Sequence, residues 1–230
     1  MKNIEFEKPQ ELTFFTREAI SKLRVNLGFM GKDIKTIMIT SSVPNEGKSF
    51  ISFNLWKTAS ESGKKCLLID VDLRNSRLRK DHDMQFYGGI PNTIAHVLSG
   101  QVPVEEAIYS TNIKNGYILP ITSSVANPSI LLSNGVLKEL LENLRDEYEY
   151  IFLDTPPILS VADALQIAEY CDGSVLVIRA NSTKRKDVEE AYHSLERTGK
   201  PILGTVLNRA QQLSQASEYY YGYYDSEPEE

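Results

Sequence analysis

Apolar residues recur along this chain in two periods that alternate with each other. Between Pro9 and Met30, Leu12, Phe15, Ala19, Ile20, Leu23, Leu27 and Met30 form a stripe of period 3.6, while Arg17, Glu18, Lys22 and Arg24 occupy the other face. This predicts an amphipathic helix over about residues 10–30, ahead of the core. The segments Lys35 to Thr40, Lys65 to Asp72, Tyr150 to Asp154, Gly173 to Ala180 and Pro201 to Arg209 are instead short and nearly continuous in apolar residues, as strands buried on both faces are. Helical patterns lie between them at Phe50 to Ser62, with Gly63 as a stop, and at Val136 to Tyr148, Asp163 to Tyr170 and Lys184 to Thr198. From Leu73 to Asn127 the pattern is weaker and predicts only a short helix at Thr93 to Leu98 and a strand near Tyr117 to Ile121. The alternation predicts an α/β fold: a doubly wound, mostly parallel sheet with right-handed crossovers and flanking helices. Beyond Ala210 periodicity stops, so residues 1–209 read as one domain and 210–230 as a flexible tail.

The first strand runs into Ser42-Val43-Pro44-Asn45-Glu46-Gly47-Lys48-Ser49, and a helix follows. A strand, a tight loop ending Gly-Lys-Ser and a helix wrap backbone N–H groups around a polyphosphate, which the helix N-terminus also favours. This is a P-loop layout, with Ser42 where the first glycine of the usual spacing stands. In that reading Lys48 reaches the β- and γ-phosphates and the Ser49 hydroxyl ligates Mg²⁺. The competing reading is a chance Gly-Lys-Ser in a turn.

Three acids extend the picture. The run from Lys65 ends in Asp70-Val71-Asp72, and continued extended geometry would put both carboxylates on one side, at the strand end where ligands of open α/β sheets bind. Tyr150 to Leu153 runs into Asp154 and then Thr155-Pro156-Pro157, as a Walker B strand does. Asn208, at the end of the last strand, reads equally as a partner for a nucleotide base and as a turn former. Arg74, Arg77, Arg79 and Lys80 are most simply solvated loop charges, with proximity to phosphate or to an acidic partner as the alternative. His82, His96 and His193 have no metal-ligand spacing and read as surface or satisfied histidines.

The formal charge of −6 sits mainly in the tail: five acids and no Lys or Arg between Glu218 and Glu230 leave the rest of the chain at −1. Such a body lacks the strong positive field of a dedicated DNA binder. Cys66 and Cys171 read as core residues of a reducing compartment. No run approaches the roughly 18 apolar residues of a membrane span, so the expected location is cytoplasmic. The tail places Tyr219, Tyr220, Tyr221, Tyr223 and Tyr224 within six consecutive positions. Each keeps a phenol hydroxyl that Phe or Leu would lack. In a chain with a nucleotide site they read as substrate tyrosines, the alternative being an aromatic sticky tail.

Taken together, Ser41 to Ser49, Leu67 to Arg74, Phe152 to Pro157 and the tyrosine cluster closely resemble the bacterial tyrosine kinases of capsular polysaccharide synthesis. The best fit is to the staphylococcal type, in which kinase and membrane activator are separate polypeptides. The resemblance implies ATP and Mg²⁺ as cofactors. It assigns nucleotide binding to Pro44, Asn45, Glu46, Gly47, Lys48, Ser49, Phe50 and Asn208, metal binding to Ser49, Asp72 and Asp154, and activation of the phenol to Asp70 or Asp72. It also implies autophosphorylation of the tail between subunits of a homo-oligomeric ring, a cognate protein-tyrosine phosphatase and regulation of capsule synthesis and export. The kinase would be recruited to the inner face of the membrane by the cytoplasmic end of a membrane-anchored activator, a polysaccharide co-polymerase, with no nucleic-acid partner. Asn45 replaces a common family glycine. The oligomer motif Glu-x-x-Arg-x-x-Arg is only partly present, as Glu18, Ser21 and Arg24. The rival is a switch ATPase of the MinD/ParA type, which usually carries a signature lysine where this chain has Ser41-Ser42-Val43 and lacks a tyrosine tail. A scaffold that binds nucleotide only to assemble is a third reading. No H-R-D or D-F-G set is present, which disfavours a eukaryotic-type kinase.

Overall fold

The structure, a computed structural model, describes residues 3–7, 12–87 and 89–210; the tail tyrosines lie outside the described residues. Nine strands of the described residues form one sheet: β1 (Asn3–Phe6), β2 (Thr36–Ser41), β3 (Cys66–Asp70), β4 (Met84–Phe86), β5 (Tyr109–Thr111), β6 (Gly116–Leu119), β7 (Tyr150–Asp154), β8 (Gly173–Arg179) and β9 (Ile202–Asn208). Their order is β4-β1-β5-β6-β3-β7-β2-β8-β9. From β6 to β9 every neighbouring pair is parallel, whereas β1–β4 and β5–β6 are antiparallel.

Among the described residues eight α-helices accompany the sheet: α1 (Phe14–Gly28), α2 (Lys48–Glu61), α3 (Leu78–Asp81), α4 (Ile94–Leu98), α5 (Pro128–Ser133), α6 (Val136–Leu144), α7 (Asp163–Tyr170) and α8 (Arg185–Glu196), with a 3₁₀ turn at Val104–Glu106. The period-2 alternation of the central strands divides the interior into two cores, as a doubly wound sheet requires. Ile37, Ile39, Cys66, Leu68, Phe152, Val175 and Val177 face α1, α2 and α3. Met38, Leu67, Ile69, Ile151, Leu153 and Leu176 face α4 to α8.

The structure departs from the sequence reading at several points. The N-terminal strand β1 was not anticipated. Its Ile4 and Phe6 are buried, and Phe6 meets Phe53 and Trp56 edge-on with ring centroids 4.9 and 5.8 Å apart. The weakly patterned stretch from Leu73 to Asn127 contains β4, β5, α3 and the 3₁₀ turn as well as the expected pieces. The predicted helix begins at Phe14, where Thr13 accepts the Thr16 N–H as its cap. Its stripe is only partly covered: Ile20 and Leu27 are buried, but Phe15 and Met30 are exposed, as are Phe14, Val25 and Phe29. His82 is neither at the surface nor hydrogen-bonded in the ordinary way. It is 2 % exposed, stacks on Phe53 at 3.7 Å, and has no well-formed hydrogen bond at either ring nitrogen. Burial lowers its pKa to about 4, so it packs as a neutral aromatic.

Candidate active site

The phosphate loop is fixed by its own backbone and by one buried acid. Gly47 caps α2 in the left-handed region at φ 96°, and a Cβ there would run into the amide of Asn208. Asn45 is also left-handed, at φ 68°, a conformation that asparagine tolerates better than most residues. Glu46 is 2 % exposed. Its carboxylate accepts the Val43 N–H at 2.9 Å and the Thr183 hydroxyl, and its carbonyl accepts the Asn208 side-chain N–H at 2.8 Å. Asn208 Oδ1 accepts the Arg209 N–H, so both ends of that amide are engaged within the protein. The loop is thereby stitched to the chain beyond β8 and to the end of β9.

Lys48, Asp70, Asp72 and Asp154 come together from α2, the end of β3 and the end of β7. Asp70 and Asp154 are register partners on adjacent parallel strands. The expectation that Asp70 and Asp72 share one face of a continued strand is corrected: β3 ends at Asp70, and Asp72 lies in a turn where its Oδ1 accepts the Asn75 N–H at 3.0 Å. Asp72 still reaches the site, because its Oδ2 pairs with Lys48 Nζ at 3.0 Å. Asp70 accepts the Ser76 hydroxyl, and Asp154 accepts the Ser52 hydroxyl at 3.0 Å. Sequence reasoning missed both serines. Ser52 stands one helical turn beyond Lys48, which was the available signal; Ser76 offered none.

Three acids facing one lysine leave an excess of negative charge in a buried seat. Burial, then the charge of Asp154, pushes the Asp70 carboxyl well above the usual carboxylate range. Burial also raises Asp154, against the pull of Lys48. For Lys48, burial favours the neutral amine, but Asp154 and Asp72 outweigh it and hold the ammonium above the ordinary lysine value.

One oxygen on Asp70 and one on Asp154 have no hydrogen-bond partner, an expensive state for buried carboxylates unless something positive fills it. Among the described residues, no three acidic, His or Cys side chains close into a cage for a metal ion. The arrangement fits Mg²⁺, which takes one or two carboxylates and completes its shell with substrate phosphates and water. Two clefts meet at this centre. The larger, about 1270 Å³, is lined by Asn45, Lys48, Ser49, Phe50 and Asn208, with α1 as its far wall. The smaller, about 510 Å³, is lined by Asp72, Arg74, Arg79 and Lys80. The Lys48–Asp72 pair therefore stands between a nucleotide-sized cleft and a second, cationic one.

The two candidates for an oligomer contact sit apart from the acids, on α1. Glu18 is exposed on α1 and Arg24 is half-buried there, with its Nε lacking a hydrogen bond. Of the four cations, Arg74 binds Asp163 at 2.7 Å and Arg77 binds Asp81 at 3.2 Å.

Comparison with known proteins accounts for this arrangement. Residues 34–198 match a family described as an AAA domain. The tyrosine-protein kinase CpsD of Streptococcus agalactiae is 36% identical over 209 residues, covering 91% of this chain and 90% of the relative. The kinase domain of the Escherichia coli tyrosine kinase ETK superposes with a TM-score of 0.76 at 29% identity, over 86% of this chain and 79% of that one. The septum site-determining protein MinD of Pyrococcus horikoshii, complexed with Mg-ADP, is similar at a TM-score of 0.67 and 28% identity, over 78% and 72% of the two chains. The fold is thus shared with a protein solved in complex with Mg-ADP, while the relative that matches over about nine-tenths of both chains is a tyrosine-protein kinase: the chain belongs to the bacterial tyrosine-protein kinase family.

Proposed function

We propose that the chain transfers the γ-phosphoryl group of ATP, with Mg²⁺, to Tyr219, Tyr220, Tyr221, Tyr223 and Tyr224 of a neighbouring copy. The observation that carries this reading is the convergence of Lys48, Asp70, Asp72 and Asp154 where the two clefts meet. Phosphoryl transfer needs mainly positioning and charge neutralisation. The loop from Pro44 to Phe50 holds the phosphates, and Lys48 leaves Asp72 to neutralise them. Ser49, Asp154 and the open oxygen of Asp70 would hold the metal ion, which supplies neutralisation of the β- and γ-oxygens when bound. Asp72 keeps the Asn75 N–H on Oδ1, and its Oδ2 is open once Lys48 leaves. Of the site's three acids it is the one that lines the smaller cleft, which supports its taking the phenol proton as the tyrosyl oxygen bonds to phosphorus and ADP leaves.

About ten residues separate Arg209 from Tyr219, a reach on the order of 33–36 Å when extended, which suits a neighbour's site. The exposed Phe14 and Val25 of α1 and Phe29 at its C-cap, beside Glu18 and Arg24, support a homo-oligomeric ring built through that helix. The same reading gives the kinase a membrane-anchored activator, a cognate phosphatase and a role in capsular polysaccharide synthesis at the inner face of the membrane. Among the described residues no helix is long and apolar enough to cross that membrane.

Mixing a Lys48→Met chain that keeps its tail with an active chain lacking residues 211–230 tests the reaction between copies. Phosphotyrosine on the Lys48→Met chain is expected; its absence, when the full active chain labels itself, would confine transfer to one subunit.

A further inference from the structure

We propose that the smaller cleft reads acidic residues flanking the acceptor tyrosine, so that its substrate class is the acidic tyrosine segment and its first occupant the stretch around Glu218 to Asp225 of another copy. This rests on the kinase reading above and adds to it how the acceptor is selected.

The cleft is about 510 Å³, with Asp72 among its lining residues and a cationic wall formed by Arg74, Arg79 and Lys80. Not all of that charge is available. Arg74 donates its Nε to Asp163 at 2.7 Å and an NH2 group to the Ser129 hydroxyl at 3.1 Å, so it is spent on fixing the wall. Asp83, the other acid in the cleft, accepts the side-chain N–H of Gln85 at 3.0 Å. Arg79 and Lys80 remain. Neither pairs with a carboxylate among the described residues. The Arg79 guanidinium lies over the Phe86 ring, 5.3 Å from its centroid, a contact that aims the group and leaves its N–H donors open.

Against the one unpaired carboxylate of the lining, Asp83, the two cations leave the cleft a net positive field on a body of net charge near zero. The segment that must enter has the opposite sign. Glu218 directly precedes Tyr219, Asp225 directly follows Tyr224, and no Lys or Arg occurs from Glu218 to the end of the chain. A residue adjacent to the acceptor lies about 3.8 Å along the chain, well within a Debye length of about 8 Å. The flanking carboxylates would meet Arg79 and Lys80 while the phenol meets Asp72.

The 230-residue chain is assayed with peptides copying residues 216–226: the natural one, one with Glu218→Gln and Asp225→Asn, and one with Glu218→Lys and Asp225→Lys. The enzymes are the unmodified chain, Arg79→Gln with Lys80→Gln, and Arg79→Glu with Lys80→Glu. Incorporation of phosphate and peptide binding, by fluorescence anisotropy, are both measured. The unmodified chain should favour the acidic over the neutral peptide by about fivefold in kcat/KM, the size of two exposed ion pairs. The preference should appear in KM and fade with salt. It should vanish with the glutamine pair and turn toward the lysine peptide with the glutamate pair, an inversion that structural damage would not give. Equal use of all peptides by the unmodified chain, a loss confined to kcat, or displacement of bound peptide by inorganic phosphate alone would overturn the proposal. Failure of the kinase reading looks different: no phosphotyrosine forms on any peptide or on the chain. Anisotropy then still decides for the cleft, and acid-independent binding would overturn it.

Discussion

Lys48 Nζ lies 3.0 Å from Asp72 Oδ2, with both side chains almost wholly buried, so the lysine of the phosphate loop is held by an acid from beyond the end of β3. Together with the charge of Asp154, the pair holds the ammonium above the ordinary lysine value despite burial, and under the proposed reaction it opens as the lysine reaches a phosphate. In the proposed reaction, nucleotide binding would thereby also free Asp72.

Replacing Lys48 with Met removes the cation from both duties. Autophosphorylation should fall by about 10²- to 10³-fold or more, the scale set by loss of one preorganised charge-stabilising donor. Two-state unfolding should remain, because the methionine stem fills the same space. Retention of wild-type phosphotyrosine in an immunoblot of that variant would remove Lys48 from the site.

Asp70 is costly to the metal-free protein. Its folded pKa is raised by burial and by Asp154, so the stability it contributes is fully present below its unfolded pKa, near 3.9, and is lost as pH rises through the higher folded value. Asp70→Asn should therefore raise the Tm of the metal-free chain at neutral pH, by about 2–4 °C for each kcal/mol of repulsion relieved. The gain over the unmodified chain should grow as pH is raised through the folded pKa. Saturating Mg²⁺-ATP should shrink it, since the ion supplies the missing charge. Calorimetry across pH, with and without Mg²⁺-ATP, checks this; a variant less stable than the parent at neutral pH would show that Asp70 is satisfied without metal.

The parts of this fold that were legible in the sequence are those where composition and geometry coincide. β2, β3, β7 and β8 are apolar on both faces because helices cover both, and such runs stand out without any structure. β1, β4 and β5 are three or four residues long, too short for a period to show. They are held by partners remote in the chain, as Phe6 is by Phe53 and Trp56. The acids of the site were legible because each ends an apolar run. Ser52 and Ser76 were not, since a hydroxyl gains its role only from the carboxylate that folding brings to it. The stripe of α1 was visible, but a stripe does not say which of its residues a neighbouring surface covers.

Gly47 is required twice over, by its φ of 96° and by the approach of Asn208, whose amide would meet any Cβ there. Gly47→Ala should weaken ATP binding by about tenfold or more, since left-handed backbone alone costs an alanine about 1–2 kcal/mol. Adding Asn208→Ala relieves the collision and leaves the backbone strain. It also removes the hydrogen bond to the Glu46 carbonyl, so only partial recovery is expected. Titration calorimetry on the two variants checks this, and full recovery in the double variant would show that the collision was the whole effect.

The N-terminal strand should be an integral part of the domain rather than an appendage. Phe6 is 2 % exposed and its ring contacts Phe53 and Trp56 of α2, the helix that begins at the phosphate loop, while β1 bridges β4 and β5. Phe6→Ala should cost about 3–5 kcal/mol, the usual price of truncating a buried aromatic. Trp56, the only tryptophan in the chain, reports the event directly in urea, and the midpoint should fall with little change in slope. A loss below about 1 kcal/mol, within the range of ordinary surface substitutions, would mean that the strand docks without supporting the helix beneath it.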